Sequence, residues 1–234
     1  MQRENACMVN RKQTESNANI VARIEFVVRA VLRDSVDTDF VHSILGTISA
    51  QPEEDGDEEE AGYLRASLVQ FGAALDHGIS AARLGDGISG DISEYWERLF
   101  DPETGYLKEE VQDEYEVVGL DLLIIDCVEL YPKFRGLGIG ASAVQRAIDV
   151  FGMGCGLIAC TPWPLQFTPA VASDQETLKR LETPKVGKDE ALRKLRSYWA
   201  RLGFWPLGNT GIYVLSISQR GSDVRPRDRG TGLQ

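Results

Sequence analysis

The run from Leu120 to Leu130 limits what this chain can fold into more than any other stretch. Leu122, Ile124, Val128 and Leu130 are apolar on one parity, and Leu123, Ile125 and Cys127 on the other. Strand side chains alternate between two faces, so apolar residues on both parities predict a strand buried on both sides, in the middle of an α/β sheet. The run is followed by Tyr131-Pro132-Lys133-Phe134-Arg135-Gly136-Leu137-Gly138-Ile139-Gly140-Ala141, and then by Val144, Ala147, Ile148 and Phe151 at helical spacing. A strand, a glycine turn and a helix N-terminus in that order make an anion cradle. Glycine lets the backbone come close, and the first-turn N–H groups have no partner within the helix. The expected ligand carries a pyrophosphate.

Composition sets the frame around this centre. With 234 residues, of which 43% are hydrophobic, the chain fits one domain with a real core and polar ends. A formal net charge of −11 argues against nucleic acid or an anionic membrane as partner. The first residues lack the apolar core of a signal peptide, and no apolar run approaches the roughly 18 residues of a membrane span. Cys7, Cys127, Cys155 and Cys160 form neither a disulfide framework nor a CxxC pair, which suits a reducing cytoplasm.

Residues 1–18 read as a loose polar arm, 19–218 as one domain, and 219–234 as a loose tail. Ile20, Ala22, Ile24, Phe26 and Val28 alternate as a first strand that extends towards Leu32. Thr38 to Ser49 fits a helix or a strand equally well. The acidic run Glu53 to Glu60 reads as a solvated hairpin or loop, or else as a docking patch for a basic partner. Tyr63 to Ala73 is a candidate strand. Ser93 to Phe100 is a short helix opened by Ser89 or Asp91 and ended by the turn Asp101-Pro102-Glu103-Thr104-Gly105.

A peripheral strand is expected near Tyr115 to Val118, and a short buried one at Leu157 to Cys160. Residues 161–187 form a long connection with an apolar knot at Trp163, Leu165 and Phe167, either a lid or packing against the sheet edge. Lys188 to Leu202 is a second clear helix with Leu192, Leu195, Trp199 and Leu202 as its stripe and Gly203 as its cap. Asp189–Arg193 and Glu190–Lys194 are i,i+4 pairs on it. A last strand runs from Ile212 to Ile217.

The glycine spacing excludes two familiar cradles. A dinucleotide fold wants GxGxxG and an acid ending the next strand, and a P-loop wants Gly-Lys-Ser/Thr; neither is present. Arg135-Gly136-Leu137-Gly138-Ile139-Gly140, preceded by Leu130-Tyr131-Pro132, resembles motif A of the GNAT acyltransferases. Tyr198-Trp199-Ala200-Arg201-Leu202-Gly203-Phe204 resembles the motif B of that family, in the right order. The resemblance covers about residues 118–218. It implies an α/β (α+β) fold with a mixed, mostly antiparallel central sheet flanked by helices and splayed central strands. It also implies acetyl-CoA, or another acyl-CoA, as co-substrate. Its pyrophosphate would lie at the turn Arg135, Gly136, Leu137, Gly138, Ile139, Gly140 and Ala141, held by backbone N–H groups from Leu137 to Ala141, and its pantetheine arm beside Glu129, Leu130 and Tyr131. Arg135 would either meet a phosphate or pin the turn.

The implied activity is N-acyltransfer, most simply of acetyl, from the thioester to an amine. The acceptor is a small-molecule or peptide amine, and assembly as a homodimer is left open. Many members use a carboxylate on the central strand and a tyrosine in motif B. Glu129 and Asp126 are the candidate bases; a separation of three places them on opposite faces of a regular strand, and Glu129 lies nearer the splay. The usual tyrosine position falls on Trp199, which suits the core, while Tyr198 is shifted by one residue, or about 100° around a helix. Tyr198 is the acid candidate, with Tyr131 and Tyr213 open. The departure keeps a second reading alive: a GNAT-shaped protein that binds acyl-CoA or a protein partner without turnover. A toxin acylating charged tRNA is disfavoured by the acidic charge. His42 and His77 show no metal-ligand spacing, and no metal is expected.

Overall fold

The computed structural model describes residues 20–30, 39–52, 57–80, 83–84, 90–168, 177–178, 182 and 186–220. The expected arm and tail, Ser89, and most of 169–185 lie outside the described residues.

Seven strands form one sheet: β1 Ile20–Arg29, β2 Val41–Pro52, β3 Glu59–Val69, β4 Asp121–Leu130, β5 Cys155–Cys160, β6 Trp205–Pro206 and β7 Tyr213–Ser216. Their spatial order is β1-β2-β3-β4-β5-β7-β6. Every neighbouring pair is antiparallel except β4 and β5. The five helices in these ranges are α1 Phe71–Asp76, α2 Gly90–Leu99, α3 Glu109–Tyr115, α4 Ile139–Phe151 and α5 Lys188–Arg201. The protein is therefore mixed α/β, with a mostly antiparallel sheet flanked by helices.

Two apolar clusters cover the two faces of the sheet. One packs α1, α2 and α3 on Val69, Leu122, Ile124 and Leu157. The other packs α4 and α5 on Ile44, Leu64, Leu123, Ile125 and Ile158. Leu122 to Ile125 are all 1% exposed or less, so the centre of β4 is core on both faces. The parallel β4–β5 step is spanned by α4, the crossover that such pairing requires.

Four expectations change. Of the stretch Thr38 to Ser49, Thr38 lies outside the described residues and the part from Val41 onward belongs to β2, because Ile44, Ile48 and Ala50 recur at strand period on the buried face. The strand expected over Tyr63 to Ala73 is β3 and ends at Val69, and Phe71 already opens α1. The strand expected near Tyr115 is instead α3: Val111 and Tyr115 are buried one helical turn apart, and Glu116 closes the helix in the left-handed region (φ 50). The stripe of α5 runs through buried Ala191 and Trp199 and half-buried Leu195 and Leu202, which pack on the α4–α5 cluster, while Leu192 does not join it. The short β6, which pairs with β7, had no sequence signal of its own.

Candidate functional site

The chain leaves β4 at Leu130 and makes one 3-10 turn, Pro132–Phe134. Phe134 is buried in the α4–α5 cluster and anchors it. Gly136 (φ 77) and Gly138 (φ 80) then take left-handed backbone that glycine adopts without strain. A Cβ at either would meet nothing within 4 Å, so the turn is open above both. Gly140 differs. Its Cβ would lie 3.3 Å from Leu130 Cδ1 and from Tyr198 Oη, so here the helix end sits tightly on β4 and α5. Ser142 N–H donates to the Gly138 carbonyl (3.0 Å) and starts the ladder of α4. The N–H groups of Ile139, Gly140 and Ala141 precede it and have no carbonyl within the helix. They stand at the positive end of its dipole.

Arg135 pins the turn: its Nε donates to the Leu130 carbonyl at 2.9 Å. Tyr131 N–H donates to Ala61 O (2.9 Å), so the backbone of Tyr131, and of Glu129 two residues back, faces β3. By strand alternation, the backbone of Val128 and Leu130 faces the opposite edge. On that edge the β4–β5 register runs from Asp121↔Cys155 to Ile124↔Ala159 and ends there among the described residues.

A cavity of about 660 Å³ opens where that pairing ends. Its walls are the second half of β4, the glycine turn, Thr161 to Gln166 after β5, and one face of α5. Trp163 and Leu165 belong to the wall, with Lys188 Nζ 4.2 Å over the Trp163 ring. Arg135, Lys194 and Arg201 bring positive charge to the same wall, and Lys194 is held by Glu190 at 2.7 Å.

Asp126, Cys127 and Glu129 also line the cavity. The expectation that Asp126 and Glu129 lie on opposite faces is wrong for a physical reason. Ile125 pairs with Ala66 and Cys127 with Arg65, so Asp126 is the extra residue of a β-bulge. Past the bulge the parity inverts. Cys127 and Glu129 share the face of Arg65 and Tyr63, while Val128 and Leu130 join the α4–α5 cluster. Asp126 accepts from Ser67 Oγ (3.1 Å), and Ser67 lies on that same Arg65 face, so both carboxylates approach from one side.

The groups between and around the carboxylates have altered acidity. Burial pushes the Cys127 thiol up, partly offset by Arg65. Tyr95 OH and Thr161 Oγ1 bond at 2.9 Å on this side, and burial raises the Tyr95 phenol. Glu129 Oε1 is a buried atom.

Tyr198 lines the cavity despite its shifted position, and burial pushes its phenol up to about 12 against the pull of Arg201. Trp199 is 5% exposed and packs edge-on against Phe204 (5.0 Å), as core. Tyr131 turns elsewhere: its OH donates to Glu60 (2.5 Å) beside Tyr63, which also donates to Glu60. Tyr213 is half-buried against the α4–α5 cluster. His42 bonds Gln70 (2.9 Å) and His77 bonds the Ala73 carbonyl (2.9 Å). No metal-holding group of side chains occurs among the described residues, and no helix among them is long and apolar enough to cross a membrane.

The structure thus brings Glu129, Leu130, Arg135, Gly136, Gly138, Gly140, Ala141 and Tyr198 to one cavity and turns the Tyr131 phenol away from it. The sequence assigned no site role to Val128, Thr161, Lys194 and Arg201. Val128 reads as one more apolar residue of the central strand, and the other three reach the cavity from segments distant from β4 along the chain. Comparisons with protein-family models, with curated proteins and with solved structures gave no match.

Proposed function

We propose that the protein is an acyl-CoA-dependent N-acyltransferase that transfers acyl, in the simplest case acetyl, directly from the thioester to an amine. The observation that carries the reading is the adjacency of three things. They are a left-handed glycine turn opening a 13-residue helix, the end of β4–β5 pairing beside it, and a cavity running from that turn to two carboxylates and a tyrosine.

Each part suits a piece of the co-substrate. The open turn would take a pyrophosphate on the N–H groups of Ile139 to Ala141, with Arg135 and Arg201 lining the same cavity to balance its charge. In this reading the end of β4–β5 pairing would serve as the splay that the GNAT resemblance implies. There Val128 and the Leu130 N–H, rather than Tyr131, would bond the amides of the pantetheine arm.

Acyl transfer to an amine needs the ammonium deprotonated and the departing thiolate protonated. Glu129 is the base in this reading, taking the proton directly or through a water, and Asp126 on the same face draws the cationic acceptor in. Tyr198, held neutral by burial, gives its proton to the thiolate. The free thiols Cys127, Cys155 and Cys160 fit a cytoplasmic setting, where acyl-CoA is made.

The test is a thermal-shift titration with acetyl-CoA and longer acyl-CoAs, followed by thiol release across an amine panel. A rise in Tm with thiol release is expected. A rise without release over a broad panel selects the binding protein without turnover. No rise at millimolar ligand removes the assignment.

A further inference from the structure

The sheet has two edges, and they are built differently. The β6 edge is two residues long and carries Pro206, which blunts it. The β1 edge is ten residues long and has no proline. Among the described strands it pairs only with β2, so its outer row of N–H and C=O groups is a template for another strand. It is also apolar where an exposed edge should not be: Val21, Val27 and Val28 are 40%, 45% and 50% exposed.

We propose that β1 is a dimer interface, in which two copies of this chain join edge to edge, antiparallel, with Ile24 opposite Ile24 of the second copy. The choice of occupant rests on complementarity of the strand with itself. In this register Arg23 faces Glu25 of the second copy, and Glu25 faces Arg23, giving two opposite-charge pairs. Val21 faces Val27 twice on the same side of the sheet, and Ile20 faces Val28 twice on the other. Nine of the ten strand residues, Ile20 to Val28, are paired.

Centring the pairing one residue either side sets Arg23 against Arg23 or Glu25 against Glu25. Centring it on Phe26 sets Arg23 against Arg29. Centring on Val27 keeps opposite charges, Glu25 with Arg29, but only about half of the strand overlaps. Like charges directly opposite destabilise a sheet pair, and opposite charges and apolar pairs stabilise it. Arg23 now reaches Gln51 (3.2 Å) and Glu58 (3.6 Å), both on the exposed surface, so it can turn to the second copy at little cost. Ile24 and Phe26 lean inward over Gly46, which leaves Val21, Arg23, Glu25 and Val27 to decide the register. A two-fold axis through Ile24 would extend two seven-stranded sheets into one.

Sedimentation equilibrium of the full chain tests the assembly, and two sets of variants test the register. Wild type is expected to dimerise. Arg23→Glu puts Glu opposite Glu twice and is expected to weaken the dimer roughly tenfold or more. Arg23→Glu with Glu25→Arg restores the pairs and the dimer in this register, whereas in the Val27-centred one the new Arg at 25 meets Arg29 and restoration fails.

Directly opposite residues in antiparallel strands stand at disulfide distance. Oxidising a mixture of Val21→Cys and Val27→Cys chains is therefore expected to yield the mixed crosslink and little of either homo-crosslink. This readout does not depend on the charge variants. A monomer at all concentrations up to about 100 µM overturns the proposal. So does a dimer that ignores Arg23→Glu and gives no mixed crosslink, which would place another surface or another segment at the contact.

Discussion

The two halves of β4 carry opposite duties. Residues 122–124 are paired on both edges, and residues 122–125 are buried on both faces. Residues 127–130 are paired with β3 alone, are partly open and line a cavity, with Asp126 as the extra residue between the two halves. One strand thus passes from fold to site at a single extra residue, Asp126. The bulge inverts parity there, so that the acids gather on one face and Val128 and Leu130 on the other. Built this way, the strand is rigid in its first half and in its second turns one backbone edge to the cavity instead of to a neighbouring strand.

The largest expected effect separates the halves by stability. Leu123 is fully buried, and Leu123→Ala should cost about 3 kcal/mol in urea unfolding. Val128→Ala, half-buried on the cavity wall, should cost about 1 kcal/mol or less, because the cavity already removes much of its packing. Equal losses would mean that the second half of β4 is core as well.

Next comes the cradle. If the turn holds the pyrophosphate, Gly138→Glu sets a like charge over it, and it forces a side chain into left-handed backbone at about 1 kcal/mol. The folded protein should survive. At about 100-fold excess over Kd, the roughly 2.7 kcal/mol of stabilisation by acetyl-CoA should disappear from the thermal shift. A retained shift would move the pyrophosphate away from this turn.

These two regions were not equally legible in the sequence. The first half of β4 and the turn are local patterns: a strand apolar on both parities, and glycines at fixed offsets before a helical stripe. The bulge was not legible, because it depends on which β3 residue meets which β4 residue. Spacing alone therefore split Asp126 from Glu129. The helix α3 was misread because its acids hide a two-residue apolar contact, Val111 with Tyr115. Tyr198 was doubted from its alignment with a motif, yet α5 is rotated so that both Tyr198 and Trp199 reach the α4 side, one at the cavity and one in the core.

The bulge also makes a kinetic prediction. If Glu129 is the base, Glu129→Gln should lower turnover about 100-fold at neutral pH, with recovery as pH rises and the amine deprotonates unaided. Asp126→Asn on the same face should act mainly on KM for cationic acceptors and leave kcat within a few-fold. Asp126→Asn as the more damaging change in kcat would exchange the two roles.

The smallest effect concerns Tyr198 and runs through stability rather than rate. Its phenol is raised from an ordinary value of 10 to about 12 because burial disfavours the phenolate. The folded state therefore holds the proton more tightly than the unfolded chain does. Its stabilising contribution is complete below pH 10 and declines as pH rises from 10 through 12. Tyr63, Tyr95 and Tyr115 are shifted the same way, so the wild type should lose stability steeply over that window. Tyr198→Phe should flatten only part of that loss, measured as urea midpoints between pH 9 and 12, and leave neutral-pH stability almost unchanged. A profile identical to wild type would mean that the phenol is as well solvated in the cavity as in the unfolded chain. It could then no longer be the group that burial holds neutral beside the thioester.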